Sequence, residues 1–148
     1  MSVVVRRLLL VILLLGLPGT GVELLLMGHT EGFWQLVPLV LIALSLLALG
    51  WHGVDRKAAS LRVFQATMIL FVMSGAAGVL LHYRGNVEFE LEMYPTLSGW
   101  ELLRKALTGA TPALAPGTML QLGLVGLTYT YRHPAFLSLT RENASDRS

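Results

Sequence analysis

A chain of 148 residues is the size of one domain, but only 14% of this one is charged while 54% is hydrophobic. Soluble domains carry about 25% charged residues, so the shortfall points to a chain whose solvent is largely lipid. A net charge of +2, spread along the chain, gives no reason to expect a nucleic-acid partner, and the lack of cysteine excludes disulfides, thiolate catalysis, zinc–thiolate centres and iron–sulfur clusters.

The first apolar stretch covers residues 8–27. Arg6 and Arg7 precede it, as at the start of a secretory signal, and Gly19-Thr20-Gly21 resembles a cleavage site. The apolar run resumes at Val22 and reaches spanning length, so a membrane helix is expected, with a kink at Pro18. Gly16 and Thr20, one turn apart, offer a packing face. A loop from Gly28 to Gly32 is short enough to turn the second span, 33–51, back beside the first. Phe33, Trp34 and Trp51 mark its ends, where amphipathic rings favour the headgroup region.

A polar turn from His52 to Lys57 follows, and Ser60 is a plausible cap for the third span, 61–83. Its 23 residues make about 34 Å of helix at about 1.5 Å each, enough to cross a bilayer core of about 30 Å. The small residues from Ser74 to Gly78 are where another helix can come close.

In the loop 84–112, residues 86–93 alternate: Val87, Phe89, Leu91 and Met93 against Glu88, Glu90 and Glu92. On an extended strand the apolar four share a face, so the segment reads as extended; a helical continuation of the third span is the alternative. Tyr94-Pro95 is a break. Ser98-Gly99-Trp100-Glu101 then matches a Ser-x-x-Glu capping box and opens a short amphipathic helix, Gly99–Leu107, with Trp100, Leu103 and Leu107 on one face. Such a helix can lie flat in the membrane interface. The fourth span is 113–131, with Gly123, Gly126 and Thr130 as small contacts, and Pro134 stops it.

Four spans place eight basic residues on one side (Arg6, Arg7, Arg56, Lys57, Arg62, Arg132, Arg141, Arg147) and three on the other (Arg84, Arg104, Lys105). Positive charge marks the cytoplasmic side. The expected fold is therefore an all-α membrane protein: a four-transmembrane-helix bundle, residues 1–134, with both termini cytoplasmic. The loop 84–112 lies outside and carries one short interfacial helix; a polar tail, 135–148, lies inside and is frayed from 143 onward.

Candidate functional residues are few. Glu23 lies about 6 Å inside the outer end of the first span, where a carboxylate is costly and marks a possible site, or else snorkels outward or pairs with Arg84 or His29. Gln65 and Gln121 are polar residues within spans, at different depths. All four histidines lie at span ends; His29 and His82 share a surface and could meet, but their spacing matches no metal motif. No phosphate loop, nucleophile elbow or catalytic triad is present, and the acidic alternation lacks the turning backbone of a calcium loop. Phe89, Leu91, Trp100 and Leu103 form an apolar ridge that needs lipid or a partner to cover it.

No catalytic residue, metal or cofactor is expected. The leading functional expectation is a non-catalytic accessory or interaction subunit, in contact with the bilayer and with other membrane subunits or further copies of itself. The alternatives are a proton or ion path using Glu23 and a haem- or quinone-binding redox protein using His29 and His82.

Overall fold

The structure is a computed structural model, and it describes residues 1–109 and 111–136. Every regular element among them is helical: α1 (Val3–Leu26), α2 (Phe33–Asp55), α3 (Ala58–Met93), α4 (Gly99–Leu107) and α5 (Gly117–Thr130). The tail from residue 137, including Arg141, Arg147 and the frayed end expected from 143, lies outside the described residues.

Three helices, α1, α2 and α3, are long and apolar enough to cross a membrane, which indicates a membrane location. Their outward faces are what lipid would cover: Leu15 is 71% exposed, Leu26 83% and Leu47 70%. The helices overrun the apolar stretches because polar flanks can still complete a helical ladder. The Ser2 hydroxyl accepts from the Val5 N–H at 3.3 Å and so starts α1 five residues before the first leucine run. Pro18 is accommodated inside α1.

α1, α2, α3 and α5 form a ring in which α1 packs on α2, α2 on α3, α3 on α5, and α5 back on α1. Leu13 and Leu17 of α1, Leu41 and Ile42 of α2, Phe64 and Met68 of α3, and Met119 and Leu122 of α5 meet in one core. The tightest seam joins α3 to α5, and glycine makes it possible. A Cβ at Gly75 would sit 2.6 Å from the Leu120 backbone nitrogen, and one at Gly123 2.9 Å from the Met68 carbonyl oxygen. Gly126 faces Met68 and Gly78 faces Pro116 in the same way. The small run of α3 is thus where α5 approaches.

Residues 86–93 are helical, correcting the expectation of an extended segment. α3 runs unbroken for 36 residues, about 54 Å at helical rise. The alternation misleads because no second strand is available to pair with it, whereas a helix satisfies its own backbone. The helix splits the apolar set: Val87 and Leu91, four apart, are half-buried, while Phe89 and Met93 are exposed.

α4 has the expected bounds but does not stand alone in an interface. It begins six residues after Met93 and runs back along α3 until its last turn reaches Asn86. The face against α3 centres on the fully buried Ala106, leaving Trp100 and Leu107 exposed. Ser98 is the N-cap residue by position, but its side chain makes no capping bond.

The last apolar segment is helical only from Gly117. Before it, residues 112–119 wind through successive i→i+3 bonds, among them Ala115 N–H to Pro112 O at 3.1 Å and Gly117 N–H to Leu114 O at 2.9 Å. Pro112 and Pro116 lack the N–H groups that a regular α-helix would need there.

Candidate functional site

Arg6 of α1, the end of α2, the start of α3 and the end of α5 meet at one end of the ring. Arg6 Nη2 donates to the carbonyl oxygens of Tyr131 (3.4 Å) and Arg132 (3.2 Å). These carbonyls follow the C-terminus of α5, where helical partners run out and a cation is favoured. Arg6 Nε stays buried without a hydrogen-bond partner.

A chain of polar side chains crosses this end. Ser60 Oγ donates its one hydrogen to the Lys57 carbonyl at 2.8 Å, so it must accept from His52 Nδ1 at 3.0 Å. Ser60 therefore ties α3 to α2 from inside the helix; the cap position itself is Lys57. In neutral His52 this places the ring proton on Nδ1. The His52 ring meets the His133 ring edge-on at 5.1 Å, and His133 lies 5.6 Å from the Tyr129 ring. His133 Nδ1 accepts the Ala135 N–H at 3.2 Å, which only an unprotonated nitrogen can do. Burial, then Arg6 and His52, push His133 down to about 4 from its ordinary 6.5.

Two adjoining clefts open on this cluster. The larger, about 530 Å³, is lined by His52, Gly53, Arg56, Tyr129, His133, Pro134 and Ala135. The smaller, about 360 Å³, lies against Met1, Val3, Arg6, Arg7, Leu10 and Arg132 and shares Tyr129, His133 and Pro134 with its neighbour. Among the described residues, four arginines line the pair and no carboxylate does. The nearby Asp55 is ion-paired with Lys57 at 3.1 Å.

The backbone adds a second mark. Among the described residues, two non-glycine residues have positive φ: Arg56 (52°) and Arg132 (47°). Each ends a helix or closely follows one, where glycine or asparagine is usual. The left-handed conformation costs a side chain about 1–2 kcal/mol, and a cation at a helix C-terminus returns about 0.3–1 kcal/mol. Local stability alone therefore does not account for arginine at both positions.

At the opposite end, His29 and His82 are both half-buried and close enough to influence each other: burial, then His82, lower the His29 pKa. His82 Nδ1 is buried without a hydrogen-bond partner. Glu23 lies exposed on the outside of α1 and makes no ion pair among the described residues, neither with Arg84 nor with His29. Gln121 is exposed on α5 and Gln65 is half-buried on α3. None of these three lines either cleft. Of the expected ridge, Phe89 and Trp100 are exposed while Leu91 and Leu103 are half-buried.

Asn86 had no forecast role, yet it closes the α3–α4 hairpin. It is 2% exposed; Nδ2 donates to Ala106 O at 2.8 Å and Thr111 O at 2.7 Å, and Oδ1 accepts from Thr111 Oγ1 at 2.5 Å. Lys105 adds a 3.8 Å ion pair to Glu90 and lies 4.1 Å from the centre of the Tyr94 ring. A single asparagine between Gly85 and Val87 gives no periodic signal. The His52–His133 contact was equally hidden, since 80 residues separate the two rings.

No family model matches the chain, and no curated protein or solved structure is similar to it.

Proposed function

We propose that this chain is a four-span membrane protein with cytoplasmic termini that acts without catalysis as an accessory or interaction subunit of a larger membrane assembly. Its docking element is the α3–α4 hairpin on the outer side. The supporting observation is that hairpin: a buried asparagine fixes it, and it keeps Phe89, Met93, Trp100 and Leu107 exposed. α3 is about 54 Å long and a bilayer core about 30 Å thick, and beyond the span 61–83 its last ten residues carry it about 15 Å past the outer edge of the core. Rigid aromatic side chains held outside the hydrocarbon core fit the outer portion of a neighbouring membrane subunit.

The fourth span is supported by length and packing. α5 contributes 14 residues, about 21 Å, and the tight turns over 113–116 about 8 Å more. Together they approach the core thickness, and α5 is packed against both α1 and α3. The eight-to-three bias of basic residues supports the orientation.

Native mass measurement after mild detergent extraction tests the reading. The expected result is a complex heavier than one chain, which Phe89→Ala with Trp100→Ala dissociates without lowering Tm. A strictly monomeric protein with no co-purifying chain would overturn it. The alternative of a haem or quinone site draws support from the proximity of His29 and His82 and the unpartnered His82 Nδ1. An absorption spectrum without a Soret band removes its haem form. Glu23 lies outside the helix ring, so the geometry gives an ion path through the bundle no support.

A further inference from the structure

We infer that the adjoining clefts at the ends of α1, α2 and α5 bind a phosphate-bearing ligand, namely the headgroup of an anionic phospholipid, through Arg6, Arg7, Arg56 and Arg132. Among the described residues the charge is one-sided: these four cations line the clefts and no carboxylate does. Arg6 spends Nη2 on two carbonyls and keeps Nε buried without a partner. Arg56 and Arg132 hold left-handed backbone conformations that glycine or asparagine would adopt with less strain.

The clefts have the two-part chemistry of a lipid. Guanidinium groups present donor forks suited to phosphate oxygens, and Tyr129 and His133 stand beside them. The rest of the smaller cleft is apolar, with Met1, Val3 and Leu10. Leu10 lies one turn beyond Arg6 and Arg7 on the apolar side, beside the exposed Val11 and Leu14, so an acyl chain can leave the cleft there along α1. Basic pockets between helices at the cytoplasmic face are suited to anionic headgroups. This inference rests on the membrane location and is independent of what docks on the α3–α4 hairpin.

The test is native mass spectrometry of the full chain in a non-ionic detergent, titrated separately with dioleoyl phosphatidylglycerol, dioleoyl phosphatidylcholine and soluble glycerol 3-phosphate. Wild type should retain phosphatidylglycerol at least tenfold more tightly than phosphatidylcholine. Arg7→Gln with Arg132→Asn should weaken retention roughly thirtyfold, at about fivefold per cation lost. Asparagine tolerates the left-handed backbone at 132, so Tm should not fall. Arg62→Gln with Arg84→Gln removes the same charge outside both clefts and should change retention less than threefold. Tight glycerol 3-phosphate binding that phosphatidylglycerol does not improve would keep the phosphate site and make its source soluble. Equal retention of the two lipids with no glycerol 3-phosphate binding would overturn the inference. So would equal losses from the cleft pair and the control pair.

Discussion

Replacing Asn86 by alanine should release the α3–α4 hairpin while leaving the helix ring intact. The Ala106 carbonyl lies in the last turn of α4, where no further helical N–H reaches it, and Asn86 Nδ2 is its donor at 2.8 Å. Ala106 is fully buried, so losing that bond leaves an unsatisfied acceptor, at about 1–2 kcal/mol. Of the three bonds to Thr111, the two short ones contribute less, about 0.5–1 kcal/mol each, because Thr111 is exposed and water replaces Asn86 there, and the long one from the Thr111 N–H to Oδ1 (3.4 Å) adds little. The sum is about 3 kcal/mol, or roughly 150-fold in the opening equilibrium. Hydrogen exchange in detergent measures it directly. Amides of α4 should exchange about 100-fold faster, while those at the centres of α1 and α2 keep their rates. Thr111→Val, which removes only the hydroxyl bond, should accelerate α4 exchange by less than tenfold. An acceleration below threefold in Asn86→Ala, or equal acceleration in all helices, would show that Asn86 does not close the hairpin.

The α3–α5 seam predicts a contrast between glycines. Gly123→Ala drives a Cβ to 2.9 Å from the Met68 carbonyl oxygen, which a rigid helix cannot yield, and should destabilise by about 1–3 kcal/mol. Gly19→Ala in α1 meets nothing within 4 Å and should stabilise by about 0.5–1 kcal/mol through helix propensity. Thermal melts in one detergent decide it, and matching shifts would refute the seam. His133 is depressed to about 4 from 6.5, so the fold binds fewer protons than the unfolded chain between those values. Stability should therefore be complete above about pH 6.5 and fall as pH drops towards 4. The group is partly exposed, so solvent screening cuts the effect to about 1–2 kcal/mol. Melting curves of His133→Asn should lose that part of the acid sensitivity and keep the same-signed part from His29, whose pKa is also lowered. An unaltered profile would show that His133 is not held neutral by the fold.

The apolar runs were readable because lipid imposes a composition rule on each segment by itself. Length, hydropathy and aromatic ends located α1, α2 and α3 without knowledge of their neighbours. The glycines from 75 to 78 and at 123 and 126 were readable as packing sites because a missing side chain matters wherever helices touch. The alternation of 86–93 fits a strand locally, and only the lack of a pairing strand and the hold of Asn86 on α4 make the segment helical. Glu23 and Gln121 drew attention as polar residues in apolar runs, but which helix face turns inward depends on the neighbouring helices.

By itself, then, the chain determined three apolar helices of spanning length, their approximate bounds and where positive charge gathers along it. Those are properties of single segments in contact with solvent. Tertiary structure decided which histidines touch, where four arginines gather and what closes the hairpin. Those contacts join residues from 20 to more than 120 positions apart, as between Asn86 and Ala106 or Arg6 and Arg132. No local pattern encodes them, because they arise only when helix rotation and register have been set by packing.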